Sequence, residues 1–175
     1  EKIFYFIRPT VTNLSLYERW QRLSTQSEIF LGDMVDKCYR CVVKEGQTLF
    51  IPTGWIHAVL TTEDSLVFGG NFLHSLNIQL QLKAFEIEER IHTPRKFRFP
   101  SYEAVNWLAA QKLKNDLSDL NGEDILCPAH LLGGIRSLLQ TLRRWVVQLR
   151  SKNYDLNRKE NKKERDRCGS VISDD

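Results

Sequence analysis

The chemistry in this sequence concentrates in one run, Thr48-Leu49-Phe50-Ile51-Pro52-Thr53-Gly54-Trp55-Ile56-His57-Ala58-Val59. Pro52 and Gly54 encode a tight turn, and alternation along the extended chain that follows sends Trp55 and His57 to one face. A neutral imidazole so placed can ligate a metal ion, although a lone His on a strand is more often a hydrogen-bonded structural residue. Lys2 stands 55 residues earlier, in an apolar run. An ammonium on an inward strand face is costly unless an anion meets it, whereas a Lys at a chain end is ordinarily solvated. Asn71 follows Gly69-Gly70 and reads by itself as a turn former. Cys38 and Cys41 have the spacing of half a zinc site, but no second pair stands at a suitable distance. On a strand that spacing also turns them to opposite faces, so they read as ordinary thiols. His74, His92 and His130 lack partners and read as structural or surface residues.

These residues need strands to hold them, and the first half of the chain is patterned for strands. Glu1 to Ile7 is aromatic and β-branched, as a buried strand would be, and Pro9 ends it. Asn13 is placed to cap a short helix in which Leu14, Tyr17, Trp20 and Leu23 share a face. Extended segments are expected at 29–31, 38–43, 48–51, 55–60 and 66–68, separated by turns such as Glu45-Gly46 and Glu63-Asp64. Beyond Asn77 the period becomes helical. Leu80, Ala84, Ile87 and Ile91 mark one helix. Tyr102, Val105, Leu108 and Ala109 mark a second, with Ser101 as its cap. Ile135, Leu138, Leu139, Leu142, Trp145, Val146 and Leu149 mark a third, whose stripe reads as core. From Ser151 onward charges dominate, as in a disordered tail or a frayed helix.

The composition agrees with a globular domain: 42% of the 175 residues are hydrophobic and 27% charged, enough to build a core. A net charge of +3 does not demand a nucleic-acid partner, and the acidic residues of the tail nearly cancel its basic ones. Direct DNA contact is therefore left open. No apolar run reaches the roughly 20 residues of a membrane helix. Four cysteines are too few for a disulfide scaffold and point to a reducing compartment. A buried strand at residue 1, with no cap or turn before it, reads as a chain cut from something longer.

The run from Gly46 to Leu60, with Val35-Asp36-Lys37-Cys38, resembles the late strands of Jumonji C oxygenases, in the histone lysine demethylase branch that carries a plant-homeodomain finger. Phe30-Leu31-Gly32-Asp33 and Ser65-Leu66-Val67-Phe68 are similar to the related branch with a CXXC zinc finger. Glu1 to Thr10 and Gly69-Gly70-Asn71-Phe72-Leu73-His74-Ser75 fit both. The likeness covers residues 1–115 well and 130–149 more weakly. It implies a mainly β fold with helices: a partial double-stranded β-helix of the jelly-roll or cupin kind, then a carboxyl-terminal helical region. Its divisions would be 1–92, the second half of the barrel with its first following helix; 93–150, helices packing on the barrel; and 151–175, the charged tail. It implies iron(II) as cofactor and 2-oxoglutarate as cosubstrate. His57 would be the last iron ligand, Lys2 would pair with the far carboxylate of 2-oxoglutarate, and Asn71 would face the metal and methyl-lysine pocket. Such enzymes hydroxylate an N-methyl group on a histone tail in the nucleus, and the hemiaminal releases formaldehyde.

One part of that pattern is missing. The family's other two iron ligands come as His-x-Asp ahead of the Lys, and no His-x-Asp or His-x-Glu occurs anywhere in this sequence. A single imidazole cannot hold iron(II) in a defined open geometry. The expectation is therefore a piece of a demethylase, inactive alone, or else a truncated product that acts as a chromatin interaction module.

Overall fold

Apolar residues on both faces of Glu1 to Ile7 make it suited to the centre of a sheet, and that is where it lies. The structure is a computed structural model that describes the backbone of residues 1–169 and the side chains through Ser151. Strand β1 (Lys2–Ile7) pairs antiparallel with β2 (Tyr39–Val43) on one side and β3 (Ile56–Thr61) on the other, giving the order β2-β1-β3. The register sets Phe6 between Tyr39 and His57, and Lys2 between Val43 and Thr61. Alternation then divides the sheet. Ile3 and Ile7 are buried on one face, with the Tyr5 ring edge-on to Phe30. Lys2, Phe4 and Phe6 point to the other, with Tyr39, Cys41 and Val43 and with His57, Val59 and Thr61.

Helix α1 (Val11–Gln21) begins earlier than the expected cap. The Thr10 side chain accepts from the Asn13 amide, and Asn13 is itself buried, donating from Nδ2 to the Arg8 carbonyl. Leu14 is buried and Trp20 donates to the Ile29 carbonyl at 2.8 Å, but Leu23 lies outside the helix and exposed. Residues 26–28 and 31–34 form 3-10 turns, so 29–31 is not a strand. Two other expected strands, 48–51 and 66–68, join no ladder. β-branched and aromatic residues favour a strand only where a neighbouring backbone takes up its hydrogen bonds. Among the described residues none does so at those segments, and Leu66 and Phe68 are 84% and 90% exposed.

The helical half follows in the expected order, with buried stripes that only partly match the expected ones. In α2 (Ile78–Arg90) the residues reaching the main core are Ile78, Leu82 and Phe85. In α3 (Tyr102–Gly122) they are Tyr102 and Leu113, while Leu108 is 67% exposed. In α4 (Ala129–Gly169) they are Leu138, Leu142 and Trp145, while Leu139 and Leu149 lie outside. Of the expected stripes, Ile87, Tyr102, Leu138, Leu142 and Trp145 are buried, whereas Leu108, Leu139 and Leu149 are exposed, because each helix has more apolar residues than its core side needs. Ser101 precedes α3 as expected but makes no capping hydrogen bond and adopts φ 51°. Gly134 of α4 lets the helix come close to α2: a Cβ there would stand 3.1 Å from Ile78 Cβ. Helix α4 continues to Gly169; the side chains after Ser151 and residues 170–175, where the charged tail was expected, lie outside the described residues.

The two halves meet through α2. Arg90 donates from Nε and Nη2 to the two carboxylate oxygens of Glu18 on α1, both at 2.8 Å, and Arg22 donates to the same carboxylate. The hydrogen bond from Arg90 holds Glu18 below the ordinary carboxylate range. Its contribution to stability is therefore complete above the unfolded value near 4.5 and is lost as pH falls through the lowered folded value. Acid titration of stability should show a shallower decline below that pH in Glu18→Gln than in the parent chain. In the core, the Phe85 ring stacks on Tyr102 at 4.4 Å and meets Trp145 edge-on at 5.7 Å. The Tyr102 hydroxyl is buried without a partner, and burial pushes it up to about 12. Tyr102→Phe should raise stability by about 1 kcal/mol in urea denaturation, whereas Phe85→Ala should lower it by about 3–5 kcal/mol.

Candidate active site on the open face of the sheet

His57 occupies the second position of β3, directly opposite Phe6. The turn before it depends on Gly54, which sits at φ +73°. A Cβ at Gly54 would also stand 2.7 Å from Leu80 Cγ, so the turn packs tightly against α2. This contact ties the position of Trp55 and His57 to the helical half. The imidazole Nδ1 lies 3.1 Å from the Trp55 carbonyl oxygen. A carbonyl only accepts, so Nδ1 carries the hydrogen and Nε2 keeps its lone pair free. That is the tautomer a metal-ligating His needs, fixed by the bond its other nitrogen makes. Around it stand three aromatic rings. Phe6 lies 6.2 Å from the imidazole and 6.3 Å from Trp55, and Trp55 lies 6.2 Å from Tyr39. Arg8 covers the Tyr39 ring at 5.7 Å and, with Tyr39, lines a polar cavity of about 210 Å³ that also includes Asp36 and Lys37.

Lys2 shares this face, four residues from Phe6 along β1, which is about 13 Å in a strand. Its ammonium donates to Thr61 Oγ1 at 2.6 Å. Thr61 was not singled out in the sequence, yet alternation from His57 through Val59 places it on the same face. What the sequence lacked was the register that sets it opposite Lys2. The pair presents a cation and a hydroxyl side by side, as a carboxylate would require. Asn71 is exposed in an irregular segment after the ladder, with no hydrogen bond among the described residues. Sheet geometry thus brings together Lys2 and His57 and leaves Asn71 in the following loop.

The other candidates sort differently. His74 Nδ1 accepts from the Leu76 amide, so its Nε2 donates to Thr53 Oγ1 at 3.1 Å, and the ring pins this loop to the turn before His57. His92 sits at φ 57° and is exposed, as is His130. Cys38 precedes β2 and only Cys41 lies on it, opposite Phe4; both are free thiols, and burial raises the Cys38 value. The Cys168 side chain lies outside the described residues. Toward an iron ion the described residues fit one coordination position, Nε2 of His57. They do not fit a complete site, since among them no three His, Cys, Asp or Glu side chains are grouped to hold a metal.

Gly54 carries the local prediction. Gly54→Ala combines left-handed strain with a clash on Leu80 and should cost at least about 1–3 kcal/mol in urea denaturation. In the parent chain, long-range ¹⁵N–¹H correlation on the neutral His57 ring should place the proton on Nδ1. A proton on Nε2 would remove the case for a metal ligand.

Two family models match the chain in succession. The JmjC domain, hydroxylase, covers residues 17–72, and the Jumonji helical domain covers residues 76–168. Lysine-specific demethylase 7B of Danio rerio is 53% identical over 146 residues, which is 83% of this chain and 25% of that protein. Lysine-specific demethylase 7A of Mus musculus is 53% identical over 146 residues, 83% of this chain and 16% of that protein. Lysine-specific demethylase 2B of Mus musculus is 53% identical over 111 residues, 63% of this chain and 8% of that protein. The chain thus spans a quarter or less of the length of these relatives. The junction of the two models at residues 72–76 falls where the irregular segment after the sheet gives way to the turn that leads into α2. The order of sheet and helices, the two models and the relatives agree: this chain belongs to the Jumonji family in which a JmjC domain is followed by a Jumonji helical domain.

Proposed function

We propose that the chain is part of the catalytic domain of an iron(II)- and 2-oxoglutarate-dependent histone lysine demethylase that works in the nucleus on methylated histone tails and nucleosomes. The observation that carries the reading is the open sheet face. There an imidazole with a free Nε2 and an ammonium held beside a hydroxyl rise from backbone positions about 13 Å apart along one pair of strands. Bound iron and 2-oxoglutarate would supply the oxidising chemistry that hydroxylates the N-methyl group, with loss of formaldehyde following.

The chain's own residues have narrower tasks. His57 offers one ligand, its ring orientation set by the Trp55 carbonyl. Lys2 and Thr61 hold a carboxylate of the cosubstrate, the ammonium by charge and the hydroxyl by a hydrogen bond. Phe6, Trp55 and Tyr39 form an aromatic wall on one side of the exposed His57. Asn71 directs its amide toward the methylated lysine. The remaining ligands come from a His-x-Asp segment supplied by sequence that is not in this chain. In the alternative, non-catalytic reading the chain serves only as a chromatin interaction module.

A chimera separates the two. The 175-residue chain with iron, 2-oxoglutarate and a methylated histone peptide should release no formaldehyde. Joined behind the part of demethylase 7A that precedes its matched residues, it should do so, and His57→Ala should abolish turnover. In that chimera Lys2→Ala should raise KM for 2-oxoglutarate about 10- to 100-fold, the loss of one charge-assisted hydrogen bond. A folded chimera without turnover would support the interaction module.

A further inference from the structure

Helix α4 has a second organised face, opposite the core. Its buried stripe is Gly134, Leu138, Thr141, Leu142 and Trp145. About 140° around the helix, at 100° per residue, runs another line: Leu132, Arg136, Leu139, Arg143, Val147 and Arg150. The steps are four, three, four, four and three residues, so the six side chains form a single ridge in which apolar residues and arginines alternate. All six are exposed, Leu139 to 48% and Val147 to 62%.

Among the described residues the charge of this ridge is uncompensated. From Ala129 to Arg150 the helix carries four arginines and no Asp or Glu. Arg144, on a different side, pairs with Glu86 of α2 at 2.8 Å. Arg136, Arg143 and Arg150 have no ion-pair partner among the described residues. A solvated helix face is usually polar, with both signs of charge interspersed. Here large apolar side chains take the places between the cations, so solvation alone does not account for the pattern.

We infer that this ridge is a docking surface for an acidic amphipathic helix from another protein, one with carboxylates about seven residues apart beside apolar residues. The arginines repeat every seven residues, about 10 Å along the axis, and a partner helix of the same rise presents carboxylates at the same interval. Leu132, Leu139 and Val147 would bury against its apolar residues, while each guanidinium takes a carboxylate in fork geometry. Charge disfavours a second copy of the chain, because two such ridges would set arginine against arginine. A DNA backbone would satisfy the arginines but leave the apolar half of the ridge without a partner. The inference stands apart from the demethylase reading, since the ridge shares no residue with the sheet face.

The test uses the whole 175-residue chain and a synthetic 21-residue helical peptide with Glu at every seventh position and Leu beside it. A control peptide carries Gln for Glu, and a 20-base-pair duplex stands for DNA. The Glu peptide should bind at least tenfold more tightly than the Gln peptide. Arg136→Glu with Arg143→Glu and Arg150→Glu should remove binding without changing the helical circular dichroism. Leu139→Ser with Val147→Ser should weaken the peptide at least fivefold and leave any DNA binding unchanged. Equal binding of the two peptides would overturn the proposal. So would DNA binding that is tighter than peptide binding and indifferent to the serine variants, or concentration-dependent self-association that the serine variants abolish.

Discussion

The double ladder of β1 is the constraint on which the rest of the structure depends. A strand paired on both edges has its backbone donors and acceptors satisfied, and its side chains must alternate between two faces. Ile3 and Ile7 take the buried side; Lys2, Phe4 and Phe6 take the other. The register then dictates what stands beside them. One shift of a single residue would send His57 and Thr61 to the buried face and leave Lys2 without its hydroxyl partner.

Helix α2 carries that order into the helical half. It packs Ile78, Leu82 and Phe85 into the core shared with α3 and α4. It also holds Leu80 against the turn at Gly54 and Arg90 on the Glu18 carboxylate of α1. Two of its close approaches rely on a glycine: Leu80 on Gly54 in the turn and Ile78 on Gly134 in α4. The imidazole that offers a metal ligand is therefore positioned through a chain of packing that ends far from it. A helical domain following a JmjC domain is, in this molecule, a support for the strand that carries His57.

Electrostatics differ between the two working surfaces. On the sheet face each polar group already has a neighbour that sets its orientation: Trp55 for His57, Thr61 for Lys2. On the outer ridge of α4 the arginines have no such neighbour among the described residues and alternate with exposed apolar side chains. The first arrangement fixes the orientation of an imidazole and an ammonium on one exposed face. The second leaves energy to be gained only when another surface arrives.

Residue types and local spacing were enough to find the strand around His57, the apolar strand at the amino terminus, the change to helical period after Asn77 and the break at Gly122 and Pro128. Those features rest on short-range physics: alternation, turn chemistry, helical periodicity. The same reasoning placed strands at 48–51 and 66–68, named Asn13 as a cap where Thr10 serves and assigned Leu108 and Leu139 to buried stripes. Each of those depends on what lies across from the segment. A strand needs a partner backbone, a cap needs the local turn, and an over-apolar helix needs a neighbour to choose its inner side. Sequence alone therefore marked which residue types could do chemistry, His57 and Lys2 among them. Only the tertiary structure decided that they share one face, that Thr61 stands with them and that α4 has a second face, because register and packing are relations between segments distant along the chain.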